Sequence, residues 1–124
     1  MLSQTQVVKA RKAIEFFYAD TCTITEHQKV KKENKSTGFA DVVVLENQPC
    51  RLSYKTVNNA NQTETAASII QITKVFIAPE IKVKPGSKLT ITHKGVTVEY
   101  KNSGEPAIYD THQEIVLELF KGWA

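Results

Sequence analysis

The sequence predicts a mainly-β fold: a small antiparallel β-barrel or sandwich of six to seven short strands, preceded by one N-terminal α-helix. Three observations carry this. Only the first twenty residues show the three-to-four spacing of apolar side chains that marks a helix. From Thr21 onward apolar residues recur with period two. Turn-forming clusters cut the chain at close intervals, as they do in small all-β domains. At 124 residues the chain accommodates one domain spanning residues 1–124, with a helix over 1–19 and the β-barrel over 20–124. A chain of this size buries about two-thirds of its unfolded surface, enough for one core.

The elements follow in order. Ser3 and Gln6 have capping-box spacing, each side chain reaching the other's free backbone N–H. Val7, Ala10, Ile14, Phe17 and Tyr18 then share one face, with Arg11, Lys12 and Glu15 mostly on the other, and the helix is expected to stop near Ala19-Asp20. Thr21 to Glu26 alternates as a half-buried strand with Cys22 and Ile24 on one face. The lysine-rich stretch His27 to Phe39 reads as a loop or hairpin tip. Val42, Val43, Val44 and Leu45 form an apolar run typical of a strand buried on both sides, interrupted at Asn47-Gln48-Pro49. Cys50, Leu52 and Tyr54 share a face of the next strand.

Lys55 to Ala67 has little apolar bulk, no periodicity and one charge of each sign. Thirteen such residues are long for a connection in a compact domain, and loops of that kind are often functional. Ser68 to Ile77 returns to strand, with Ile70, Ile72 and Phe76 expected inward. Pro79 and Pro85-Gly86 bracket a short edge segment containing Ile81 and Val83. Leu89 to His93 and Val96 to Tyr100 flank Lys94-Gly95, the clearest hairpin signal in the chain. Asn102 to Pro106 is turn chemistry. His112 to Phe120 alternates again, with Ile115, Leu117 and Leu119 expected inward.

Composition narrows function. Hydrophobic residues are 41% and charged residues 23% of the chain, ordinary for a soluble globular protein. The formal charge of +3 permits nucleic-acid contact without arguing for it, and the run Lys29, Lys31, Lys32 and Lys35 reads as a solvated loop. Met1 to Gln4 shows no secretory pattern, and no apolar run approaches the roughly 20 residues that span a bilayer. Cys22 and Cys50 make no disulfide scaffold and are expected as thiols packed like small hydrophobes. The expected setting is cytoplasmic.

No catalytic or metal site is expected. His27, His93 and His112 lie in three separate predicted elements, none with a second ligand at zinc spacing. His112 beside Glu114 reads as a polar outer-face pair without a nucleophile. The five glycines stand singly at turns, so there is no phosphate-binding loop. The expectation is a protein that is not an enzyme and takes no cofactor or metal.

Five pieces of the chain carry a resemblance. In order they are Tyr18-Ala19-Asp20-Thr21-Cys22-Thr23-Ile24, Pro49-Cys50-Arg51-Leu52-Ser53-Tyr54, Ile81-Lys82-Val83-Lys84-Pro85-Gly86-Ser87-Lys88, Ser103-Gly104-Glu105-Pro106-Ala107-Ile108-Tyr109 and Thr111-His112-Gln113-Glu114-Ile115, leading to Trp123-Ala124. With these the sequence resembles the head-closure proteins of siphophages and prophages, also called head-tail connectors or stoppers. The resemblance implies a subunit of a dodecameric ring that docks beneath the portal and its adaptor, closes the capsid exit and receives the tail. The subunit alone is expected to stay monomeric, its setting the host cytoplasm during assembly and then the virion head-tail interface. The resemblance further implies a loop projecting into the channel toward packaged DNA. By position its residues here are Lys55, Asn58, Asn59, Asn61, Gln62, Thr63, Glu64 and Thr65. Partners would be the other subunits, portal, adaptor and tail proteins and the DNA, with no membrane. The competing expectations are a tail-completion or tail-terminator subunit, and a small nucleic-acid-binding β-barrel.

Overall fold

The computed structural model of the protein describes residues 3–31, 37–58 and 69–123. One helix, α1 (Gln4–Glu15), precedes the strands β1 (Asp20–Lys31), β2 (Thr37–Asn58), β3 (Ile69–Ile77), β4 (Lys88–His93), β5 (Val96–Asn102), β6 (Ala107–Ile108) and β7 (Gln113–Leu119). The fold is mainly β, as the sequence predicts. The strands form one antiparallel sheet in the order β3-β2-β1-β4-β5-β7-β6, and a further pairing of β3 with β7 turns that sheet into a ring.

Ring closure depends on β2 changing partners. Its first half pairs with β1, the last pair being Cys50 with Asp20. From Arg51, opposite Phe76, it pairs with β3. Asp20 holds this switch point: its carboxylate accepts from the Leu52 backbone N–H at 2.8 Å and contacts His93 Nδ1 of β4 at 2.8 Å. One buried side chain thereby ties β1, β2 and β4.

Inside the ring lie Cys22, Ile24, Cys50, Leu52, Val75, Ile77, Leu89, Ile91, Tyr100, Ile115 and Leu117, with Val83 closing one end. Each fully buried aliphatic side chain is worth about 1.5–3 kcal/mol over leaving it in water. The two cysteines are free thiols, as expected. A hydrogen bond with Cys22 and burial both push the Cys50 thiol far up, so the reactive thiolate is suppressed. Two loops are stitched to the ring by buried amides. Gln113 Nε2 donates to Ala78 O at 2.8 Å and Ile81 O at 2.6 Å. Asn102 accepts from Gly86 N and donates to Lys84 O, both at 3.1 Å.

The β4–β5 hairpin is as predicted, with Lys94 and Gly95 both at positive φ (50° and 80°). That is the signature of the two-residue turn whose twist matches the flanking strands, and a side chain at the second position would be strained. The capping box at Ser3 and Gln6 also forms, at 2.9 and 3.2 Å.

Several expectations are corrected. The helix stops at Glu15, and none of its residues is fully buried; Val7, Ala10, Ile14 and Tyr18 are half-buried and Phe17 is 61% exposed, so the apolar stripe is only partly shielded from water. The chain from His27 to Lys31 is strand and not loop, because β1 and β2 run on as a two-stranded ribbon beyond the ring. Val43 and Val44 are exposed: they lie where β2 has β1 on one side only. Asn47-Gln48-Pro49 does not end a strand. Gln48 and Pro49 stay paired with Cys22 and Thr21, and β2 spends one extra residue between Gln48 and Leu45, where Asn47 stands at φ 50°, and another between Leu45 and Val43. On β3 the inward residues are Val75 and Ile77; Phe76 instead lines a groove under α1 with Ile14, Phe17 and Arg51. Tyr54 and Leu119 are exposed, each sitting where its strand leaves the ring, and Ile81 to Val83 forms a loop and not a strand.

Asp20→Ala removes the partner of two groups at the switch point. The expected loss is about 2–4 kcal/mol in urea unfolding, from an unpaired buried N–H and an orphaned histidine. A loss below about 0.5 kcal/mol would contradict the role given to Asp20.

Candidate functional site

Pairing lengths define the shape that matters. β4 accompanies β1 only from Thr21 to Thr25, so Glu26 to Lys31 with Thr37 to Val42 forms a free two-stranded arm. β7 accompanies β3 only from Thr73 to Ile77, so Lys55 to Asn58 with Ile69 to Ile72 forms a second. Both arms project from the closed ring.

The second arm carries the residues expected in the channel loop. Lys55 and Asn58 do not belong to a loop: they are β2 residues paired with Ile72 and Ile69. The strand was illegible because Lys55-Thr56-Val57-Asn58 carries no apolar alternation. Lys55 and its neighbour Thr56 are exposed. Asn59, Asn61, Gln62, Thr63, Glu64 and Thr65 lie outside the described residues.

The three histidines, widely spaced in sequence, each meet a carboxylate. His93 joins Asp20 across β4 and β1, as above. His27 Nδ1 lies 3.0 Å from Asp41 Oδ1 across the base of the first arm. The hydrogen bond to His27 holds the Asp41 carboxyl below its usual range, slight desolvation opposes this, and the Trp123 side chain adds to it. His112 lies 3.1 Å from Glu114 and 3.0 Å from the buried Thr111 hydroxyl. Tyr109 stacks on its ring and Phe76 meets it edge-on. Hydroxyl, imidazole and carboxylate thus stand in line, which the sequence reading missed. The hydroxyl is buried and the ring is covered by aromatics, so the arrangement acts as a tie from β7 to Lys74 of β3, whose Nζ is 3.3 Å from Glu114. Among the described residues, no three His, Cys, Asp or Glu side chains gather as metal ligands do.

The outer surface is unusually apolar in places. Phe16 is 85% exposed and Ile108 67%, and Val8, Phe17, Phe39, Val96 and Leu119 are exposed with them. Single exposed hydrophobics are normal, whereas groups of them at the end of a helix or on an arm mark surfaces that associate. Phe16 and Phe17 meet edge-to-face, 5.5 Å between centroids, at the end of α1. The helix is tied to the body by Arg11, which bonds Glu15 at 2.7 Å and also Glu80.

No protein-family model matches the sequence, and no curated protein matches it. Among solved structures, the chain is similar to the phage-like element PBSX protein xkdH from Bacillus subtilis. The identity is 13%, over 81% of this chain and 93% of that one, with a TM-score of 0.49.

Burial alone would raise the Glu114 carboxyl, but hydrogen bonds from His112 and Lys74 outweigh it and the net shift is downward. A depressed folded-state value contributes stability above the unfolded carboxylate range that is lost as pH falls through it. Glu114→Gln should therefore cost about 1 kcal/mol at pH 7. That cost should shrink as the pH falls below the ordinary glutamate range and vanish only below the depressed folded-state value, where the wild-type carboxylate is itself protonated. Thermal unfolding of both proteins across pH 3–7 checks this, and parallel curves would refute it.

Proposed function

We propose that this chain is a structural subunit of a phage head-tail connector ring that closes the capsid portal channel after packaging and docks the tail. The observation that carries the reading is the shape of the molecule: a small closed sheet from which two ribbons project, neither with a further strand partner among the described residues. A ribbon with both edges unpaired is marginal in water and is a template for further strand pairing. Such an element makes sense in an assembly that covers it.

The five sequence pieces behind the resemblance land on the parts that build this shape. Tyr18 to Ile24 opens β1, Pro49 to Tyr54 contains the partner switch of β2, and the Pro85-Gly86 turn leads into β4. Ser103 to Ile115 forms β6 and the entry to the closing strand β7. The exposed phenylalanines at the end of α1 supply apolar area for neighbouring subunits or for the adaptor. In this reading the protein works by position and contact, without catalysis or a cofactor. Its partners are its own copies, portal, adaptor and tail proteins and the packaged DNA, and its setting is the host cytoplasm during assembly and then the virion neck.

In this reading the stretch from Lys55 to Ala67 is the channel element. Its amides and hydroxyls, with one charge of each sign, let copies approach one another around a ring axis in contact with water and DNA. Deleting Asn59 to Glu64, which leaves the paired part of the arm intact, should keep the isolated protein folded and yield particles that lose packaged DNA. Measuring DNA content and infectivity of particles carrying the deletion tests this; full, infectious particles would overturn the channel-closing role.

A further inference from the structure

The first arm differs from the second in being fastened. Beyond Thr25, where β4 ends alongside it, β1 has β2 as its sheet partner and the ribbon is expected to fray. The C-terminal segment lands two residues further on. After β7 ends at Leu119, Phe120 N donates to Glu99 O at 3.1 Å. The chain then turns at Gly122, whose φ of 113° a side chain would strain, and Trp123 lies flat on His27.

His27 is held between two rings. Trp123 stacks on it with centroids 4.8 Å apart and planes 15° from parallel, and Phe39 from β2 stacks on it at 4.8 Å and 10°. Asp41, opposite His27 in the register, lies 3.0 Å from its Nδ1. Lys88, at the start of β4, places its ammonium over both Phe120 and Trp123, 5.2 and 5.9 Å from the ring centroids. The tail thus reaches from β5 and β4 across β1 to β2.

We propose that residues 120–123 form a strap that fixes the first arm to the ring, with the Trp123–His27–Phe39 stack as its buckle. The strap sets the direction in which the arm leaves the sheet. Lys29 and Lys31, exposed and at period-two spacing from His27, are presented on the face that the strap grips. A strap of this kind is a conformational device: release of four residues frees the arm without opening the core. It rests on the geometry of the tail and is independent of the connector reading.

Amide hydrogen exchange on the full-length protein tests it. In Trp123→Ala, amides of residues 26–31 and 37–42 should exchange at least about tenfold faster, while those of Cys22, Ile24, Ile91 and Ile115 stay within about twofold of wild type. His27→Ala should give the same pattern. The effects in the double variant should be less than additive, because the two single changes share the Trp123–His27 stack. Unchanged arm exchange in Trp123→Ala would overturn the strap, as would equal acceleration of arm and ring amides or additive effects in the double variant.

Discussion

The partner switch of β2 is the constraint on which the rest of the structure depends. A continuous strand pairing with one neighbour would give a flat meander with two open edges. Because β2 leaves β1 at Cys50 and joins β3 at Arg51, β3 is carried round far enough to meet β7 and the sheet shuts. The switch leaves a backbone N–H without a strand partner at the point of divergence, and Asp20 fills that position for Leu52. The bulge at Asn47 bends the strand just before the switch, so the turn of direction is spread over several residues.

Closure has two consequences that pull apart. It gives a compact interior in which Cys22, Ile24, Ile91 and Ile115 are fully buried. It also consumes only part of β1, β2 and β3, leaving their ends as ribbons outside the ring. Those ribbons are not equivalent. One is clamped at its base by an aromatic stack and a lysine, while the other is held by its ladder with β3.

Much of the fold was legible in the residues. Ser3 with Gln6, Lys94-Gly95 and Pro85-Gly86 act within a few residues, and each formed as expected. Period-two runs located the strands of the ring and missed the arms, where few side chains are apolar. There the rule has nothing to read, which is why His27 to Lys31 and Lys55 to Asn58 pass for loop. The apolar run Val42 to Leu45 misled in the opposite direction: it suggests a strand buried on both faces, yet Val43 and Val44 are exposed on a ribbon.

What the sequence determined by itself was the class of the molecule: one capped helix, short antiparallel strands and the turns between them, all set by local backbone and side-chain chemistry. Only the tertiary structure decided that the sheet closes, that α1 is no more than half-buried, and that each histidine finds a carboxylate. Those outcomes depend on pairs far apart in the chain, such as Asp20 with His93 or Lys74 with Glu114. The stacking of Trp123 on His27 is of the same kind: a contact across ninety-six positions leaves no period and no spacing to be read.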